Sequence, residues 1–592
     1  MGAADQTLPG RFFAEASRRA GHVAHHYRSG TTWFPVGWAT MAQLVRDLAG
    51  GLIALGHQPS QPVAIAASSR REWLYCDLAI LACGGISVGI PPGLEPGQCA
   101  RRLAHAGARL CVVDSRRQLA ALRPHFGQLP QLHTVIVLDD GGDGAEERPE
   151  RGDSGTPQAG RVQLIAYREV LGRGRGRAAE VAARVAAIRP LDAAMFLYTS
   201  GTAGEPRGAM LTHGNAVAAV RALARLGVGP EDTALSMVPP DHALHRAWQH
   251  CGLWSGMRMV FAGEPELAMS YLMDIKPTVV IAMPGMVERI YRAFYHEMSD
   301  LAGGRQLFQW ACELTRRRTE RRRRGAELPI RLRAQLGVAR RAVFEVLRER
   351  LGGQVRCMVV MGGPIAHGVG DLFEAAGVRV MVGWGMAETL FAGTLSRDGN
   401  HLPERIGEPL PGIELTTTAE GELLIRGGSV FSGYYKAGAE TISAFTDGGY
   451  LRTGDLGRRG ADGSFYLSDR KRDRIITASG QTVATQRIEA WLRGDPRISW
   501  AVVIGHERPY LTGLIAVPET IRLRCDDAEL ATLVERIVGE RNLELRRAEQ
   551  LRAHRVLPYD LGVASGELTP ALQVRRDVVL DRFRYLIDEM YE

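Results

Sequence analysis

The string Tyr198-Thr199-Ser200-Gly201-Thr202-Ala203-Gly204-Glu205-Pro206-Arg207-Gly208 constrains this chain more than any other feature. It follows an apolar run, Ala193 to Leu197, that reads as a buried strand, and it precedes Ala216 to Leu226, whose apolar spacing reads as a helix. The reading is therefore a strand, a flexible loop and a helix. Glycines let the backbone take positive φ and come close to a ligand. The hydroxyls of Thr199, Ser200 and Thr202, with the loop amides, can donate to phosphate oxygens, and Arg207 adds a fixed positive charge. The Gly-Lys-Ser/Thr ending of a Walker loop is absent, which argues against that kind of phosphate loop.

The flanking sequence says what kind of body carries such a loop. Met41 to Leu55 and Glu72 to Cys83 have helical periodicity, while Val63 to Ala66, Ile86 to Ile90, Arg109 to Val113 and Thr134 to Leu138 read as short strands, with a helix at Arg116 to Leu122. Strands alternating with helices predict an α/β fold with mostly parallel sheets in layers. The alternation resumes in Ser236 to His242, in Lys276 to Pro284 followed by the helix Met286 to His296, and in the strands Val355 to Val360 and Val378 to Val382. From Asp139 to Gly160 apolar residues almost vanish, which predicts a mobile surface loop. Two hairpin-like stretches around Gly407 to Gly412 and Gly421 to Gly427 predict a β-rich piece. Strands at Trp500 to Ile504 and Leu511 to Val517 predict a compact α+β end. At 592 residues the chain is too long for one core.

Composition removes other classes. With 45% apolar and 23% charged residues the chain is globular. Its eight cysteines contain no CxxC pair, against a zinc site or disulfide framework and in favour of a reducing compartment. Met1 to Phe13 lacks the pattern of a signal peptide, and no run reaches the roughly 18 apolar residues that span a bilayer. These features predict a cytoplasmic protein, at most peripheral at the inner membrane face. Only Lys276, Lys436 and Lys471 among the 73 basic side chains are lysines, and the net charge is +8. The densest basic run, Arg316-Arg317-Arg318 and Arg321 to Arg324, lies in a helical pattern without interleaved aromatics. A solvated helix face is the preferred reading, ahead of contact with an anionic membrane surface, and nucleic acid is not expected as a partner.

Taken together, the phosphate string with Thr212-His213-Gly214-Asn215 resembles the signature of the adenylate-forming (AMP-binding) superfamily, written YTSGTTGxPKGVxLTHxN. Ala203 stands for a threonine and Arg207 for the usual lysine. Further segments resemble that family in order along the chain. Pro239-Pro240-Asp241-His242 resembles PLxH, which implies that His242 lies near the acyl carboxylate. Met361-Gly362-Gly363-Pro364 resembles the turn that approaches adenine. Gly383-Trp384-Gly385-Met386-Ala387-Glu388-Thr389 resembles GYGxTET, which implies that Trp384 stacks on adenine and that Glu388 holds Mg²⁺, a job suited to a hard carboxylate oxygen. Tyr450 to Asp455 resembles YRTGD, where Asp455 would accept both ribose hydroxyls. Ser468 to Asp473 resembles the hinge between a large and a small domain, with Arg470 reaching the nucleotide and Arg472 at the pivot. Gly480 falls in a loop that, in the family, lines the pantetheine tunnel after the small domain rotates.

The resemblance implies a large N-terminal domain, 1–468, with a β-rich subdomain at 405–468, and a mobile C-terminal lid, 469–592. The basic helical stretch 300–352 is similar to an insertion of long-chain acyl-CoA synthetases. The last motif, Glu567-Leu568-Thr569-Pro570-Ala571-Leu572-Gln573-Val574-Arg575-Arg576, resembles ELTPTLKxKR, and the family's catalytic lysine falls on Gln573. The implied catalytic set is Thr199, Arg207, His242, Glu388 and Gln573, with Arg575 or Arg576 as replacement cations. The implied nucleotide and cofactor contacts are Tyr198, Ser200, Gly201, Thr202, Gly204, Gly208, Gly363, Trp384, Gly385, Asp455, Arg470 and Gly480. The implied reaction is activation of a fatty carboxylate with ATP, Mg²⁺ and coenzyme A, through acyl-AMP to acyl-CoA, with adenylation slowed by the missing lysine. Two alternatives stay open: a non-catalytic acyl- or nucleotide-binding relative, and an acyl-AMP ligase that serves an acyl carrier protein.

Overall fold

The computed structural model describes residues 6–91, 93–139, 162–199, 207–261, 268–396, 404–471 and 473–592. Two large sheets dominate these residues. The first runs in the order Thr32–Gly37 at one edge, Val23–Ser29, Arg258–Val260, Thr233–Ser236, Val279–Ala282, Cys357–Met361, Arg379–Trp384, and then the antiparallel strands Thr394–Leu395, Arg405–Pro409, Phe465–Arg470, Leu451–Arg459, Glu422–Gly427 and Ile413–Thr417. The second runs Gln163–Ala166, Thr134–Asp139, Leu110–Ser115, Pro62–Ala66, Ile86–Gly89, Ala193–Thr199, Arg207–Thr212 and Gly433–Tyr434. From Val23–Ser29 to Arg379–Trp384 in the first sheet, and from Gln163–Ala166 to Ala193–Thr199 in the second, neighbouring strands are parallel. Strands covered on both faces need apolar residues at every position. Val279, Val280, Ile281 and Ala282 accordingly have no exposed surface, so their continuous run was readable from the sequence.

Three features depart from the sequence reading. The phosphate string does not pass straight from loop to helix: Arg207–Thr212 is a strand that returns antiparallel to Ala193–Thr199, with Thr199 opposite Arg207. Ala209 and Leu211 are fully buried, but a six-residue strand beginning Arg-Gly carries little periodic signal. The helix then starts at His213, where Thr212 and Asn215 cap each other reciprocally. The β-rich piece is also not a sheet of its own, because Thr394–Leu395 and Arg405–Pro409 join it to Arg379–Trp384. The terminal lobe, finally, has a third strand, Leu551–Val556, parallel to Leu511–Ala516. Its Arg552, His554 and Arg555 hide it from an apolar-pattern search.

The stretch 300–352 is helical, with Gly304–Arg323, Ile330–Ala339 and Glu345–Arg350 joined by a π-turn at Arg340–Phe344. Arg316 and Arg317 are exposed there and pair with Glu313 and Glu320 on their own helix, as a solvated face would. Among the described residues no helix is long and apolar enough to cross a membrane. Asp139 ends a strand, and the remainder of the predicted 139–160 loop lies outside the described residues.

Candidate active site

The adjacent parallel strands Cys357–Met361 and Arg379–Trp384 end side by side, Met361 paired with Gly383. Ligands of open α/β sheets bind beyond such carboxyl ends. The first strand delivers Gly362 and Gly363, the second Trp384 and the turn Ala387–Thr389 that carries Glu388. That turn packs against both Ala193–Thr199 and Arg207–Thr212, the strands flanking the phosphate string. Sequence pieces far apart along the chain thus meet at one place. Ser200, Gly201, Thr202, Gly204 and the hinge residue Arg472 lie outside the described residues, and Thr199 is described as the last residue of its strand.

Glu388 is 5% exposed and its carboxylate accepts the Tyr434 hydroxyl at 2.8 Å. Burial pushes this carboxyl above its ordinary pKa, opposed by the Tyr434 hydrogen bond and, more weakly, by Arg207. A nearby cation would relieve that penalty. Among the described residues no cluster of three or more His, Cys, Asp or Glu could hold a metal. One buried carboxylate fits a Mg²⁺ that takes most of its oxygen ligands from phosphates and water.

Trp384 is 6% exposed, and its indole N–H donates to Asp455 Oδ2 at 2.7 Å. Arg470 stands 3.5 Å from Asp455 Oδ1, its partner across the strand pair. The carboxylate is therefore fixed in orientation from both sides. Gly362 has φ of +101°, a backbone region that favours glycine, and a Cβ on Gly363 next to it would make only ordinary contact with the Pro284 ring, at 3.8 Å. Gly385 is accounted for differently: a Cβ there would meet the backbone of Phe391 at 2.6 Å. Close packing of the 390–391 turn explains this glycine without any ligand.

His242 caps the helix Ala243–Ser255, its Nδ1 accepting the Leu244 N–H at 3.2 Å. The ring proton therefore sits on Nε2, free to donate. Burial lowers its pKa to about 4, so the imidazole is neutral near pH 7. One turn on, Arg246 is fully buried and paired with the equally buried Asp77, which also accepts from Gln249 at 3.1 Å. This pair pins the helix to Arg71–Ala82 and so fixes where His242 stands. The Tyr198 hydroxyl lies 2.8 Å from His105 Nδ1, and a Cβ on Gly208 would make only ordinary contact with the Tyr198 ring, at 3.6 Å.

The terminal lobe reaches this place. Gln573 Nε2 donates to the Gly362 carbonyl at 3.0 Å, and Leu572 lies against Gly285 at the start of the helix Pro284–Ser299. Arg493 binds Glu288 at 3.0 Å, and the His367 N–H donates to Ala490 O at 3.2 Å. Arg576 is engaged inside the lobe with Glu489 and the Val503 carbonyl. Arg575, two residues from Gln573, contributes to lowering the pKa of Arg102, after burial as the main cause. Gly480 occupies an exposed turn with φ of +77°, between the short strands Ile475–Ile476 and Thr482–Val483. The sequence reading gives no role to Tyr434, in the stretch Gly433-Tyr434-Tyr435-Lys436, or to Asp241, whose carboxyl burial raises to about 6.

The buried carboxylate and the terminal lobe meet at parallel strand ends, beside the two strands that flank the hydroxyl-rich string. The AMP-binding enzyme family matches residues 12–435, and the C-terminal domain of AMP-binding enzymes matches residues 472–592. The chain belongs to the AMP-binding enzyme family. Its relatives include the long-chain-fatty-acid–CoA ligase FadD15 of Mycobacterium tuberculosis, 32% identical over 94% of this chain and 92% of that protein. They also include long-chain-fatty-acid–CoA ligase 1 of Homo sapiens, 26% identical over 93% and 81%. The A domain of carboxylic acid reductase from Segniliparus rugosus, solved with AMP and a co-purified carboxylic acid, has the same fold, with a TM-score of 0.77 at 19% identity, covering 99% of this chain and 94% of that one.

Proposed function

We propose that this protein is an AMP-forming long-chain fatty acyl-CoA synthetase. The observation that carries the reading is the meeting of the Glu388 turn, the two strands flanking the phosphate string, and Gln573 of the terminal lobe at adjacent strand ends. The near full-length similarity to FadD15 supports a long-chain fatty acid as the carboxylate substrate.

In the first step a carboxylate oxygen attacks the α-phosphorus of ATP, forming acyl-AMP as the bond to pyrophosphate breaks. In the second the coenzyme A sulfur attacks the acyl carbonyl and AMP leaves. Mg²⁺ arriving with the triphosphate would offset its charge, and Glu388 is the residue to hold it. Asp455, oriented by Trp384 and Arg470, accepts from the ribose hydroxyls. The Nε2–H of neutral His242 donates to the acyl carboxylate. Arg207 faces the phosphates with a fixed charge whose planar geometry differs from lysine. Gln573 offers a hydrogen bond without charge, and charge-assisted bonds are about twice as strong as neutral ones. Adenylation is accordingly slow in this chain, and Arg575 is the remaining candidate to offset the loss.

The test is pyrophosphate release and acyl-CoA formation over a panel of fatty acids, with the native chain beside Gln573→Lys. Restoring the charge raises adenylation on the order of 10²-fold, the cost of losing one aimed donor. Absence of product from both proteins rejects the enzyme reading. Nucleotide binding without pyrophosphate release would favour the non-catalytic alternative. Transfer to a carrier-protein pantetheine in preference to coenzyme A would reassign the acceptor.

A further inference from the structure

The segment following Gly427 crosses from the first sheet to the edge of the second, and it is bonded to both halves of the site. On one side Gly433–Tyr434 pairs antiparallel with Arg207–Thr212, Gly433 opposite Met210 and Tyr434 opposite Ala209. The Ser432 N–H donates to Met210 O at 3.0 Å and the Tyr435 N–H to Gly208 O at 2.8 Å. Asn215, the residue that closes the cap of the following helix, donates from Nδ2 to the carbonyls of Gly428 and Val430 at 2.9 and 2.8 Å. On the other side the Phe431 N–H donates to the Glu388 carbonyl at 2.8 Å, and the Tyr434 hydroxyl to Glu388 Oε1 at 2.8 Å. The Tyr434 ring is held edge-on against Phe431, centroids 4.8 Å apart, and Phe431 is itself 3% exposed.

A buried carboxylate that accepts one fixed phenol is held in one rotamer, with its second oxygen directed by the first. The same segment holds Gly208, Ala209 and Met210 in register, next to Arg207. We propose that Tyr434 is a positioning residue that presents Glu388 to the cation of the triphosphate and fixes its spacing from the phosphate arm. This rests on the reading of Glu388 as the Mg²⁺ residue. Tyr434 acts through Glu388, to which its hydroxyl donates. Groups that orient a metal-binding carboxylate commonly contribute about 10- to 100-fold in metal affinity or activity.

The experiment is calorimetric binding of a non-hydrolysable ATP analogue at increasing Mg²⁺, alongside binding of AMP without metal, for the native chain and for Tyr434→Phe. The phenylalanine keeps the ring against Phe431, and a thermal melt checks that the fold is retained. The expected result is a Mg²⁺ midpoint for analogue binding raised about tenfold, with metal-free AMP affinity unchanged. Pyrophosphate release falls in parallel, and the KM for fatty acid does not move. A Mg²⁺ midpoint that stays within twofold in a folded Tyr434→Phe protein overturns the proposal, as does an equal loss of AMP binding. If the native chain binds no analogue at any Mg²⁺ concentration, the adenylation reading itself falls and this role with it.

Discussion

The imidazole of His242 illustrates what a single buried group does to stability. Its unfolded counterpart takes a proton near pH 6.5, whereas the folded ring does so only near 4. A depressed histidine pKa means that the folded state is favoured above 6.5 and that this contribution is lost as pH falls toward 4. By pH 5 the loss is on the order of 2 kcal/mol at 1.36 kcal/mol per unit. His242→Asn keeps an oxygen acceptor for the Leu244 N–H, since asparagine is a good helix cap. We expect its urea midpoint to fall less between pH 7 and pH 5 than that of the native chain, while adenylation drops because the Nε2–H donor is gone. Equal falls in the two proteins would show that His242 does not carry this part of the acid sensitivity. Among individual residues, Glu388 and Asp455 were legible from their motifs. What holds them was not, since Tyr434 and Trp384 lie in other segments of the chain.

At the scale of elements, the strand ends are the part of the site most exposed to small changes. Gly362 closes Cys357–Met361 with φ of +101°, and a Cβ there would meet the Met283 side chain at 2.3 Å. Gly362→Ala is therefore expected to cost about 1–3 kcal/mol in strain and to displace the carbonyl that receives Gln573. A thermal melt and the rate of pyrophosphate release together check this, and an unchanged melt would mean that the turn relaxes freely. The parallel strands were readable because burial on both faces demands continuous apolar runs. Arg207–Thr212 was not, because its place is set by pairing with Ala193–Thr199 and Gly433–Tyr434, and both partners are remote in pattern from a Gly-rich string.

For the whole molecule, the contact between the terminal lobe and the large body is what brings Gln573 to Gly362. Most of the lobe's core is its own: Ile488, Val503, Leu511 and Val534 pack within the lobe, while Ala571 and Leu572 join the core of the large body. Across the seam Glu288, 0% exposed, takes Arg493 at 3.0 Å and the Ala366 N–H at 2.9 Å. Arg493→Met leaves that carboxylate without its closest cation. Because undocking lets Glu288 reach water, the cost is well below that of a permanently buried orphan charge, about 1.4 kcal/mol or tenfold in the docked population. The expected signs are faster proteolysis where the chain passes from the large body to the lobe and a matching fall in adenylation, with unchanged far-ultraviolet dichroism. Unaltered proteolysis would show that Leu572, Gln573 and the remaining seam contacts suffice.

By itself the sequence determined the layered parallel α/β body, the order of its phosphate, acidic and terminal motifs, and the neutral residue at position 573. These follow from local composition, since an apolar run or a Gly-hydroxyl string has physical consequences wherever it is placed. Only the tertiary structure decided which side chains meet. Tyr434 and Glu388 are 46 residues apart, Trp384 and Asp455 are 71 apart, and Gln573 and Gly362 are 211 apart. Each is a short directional bond, and hydrogen bonds between distant segments leave no periodicity in the chain to announce them.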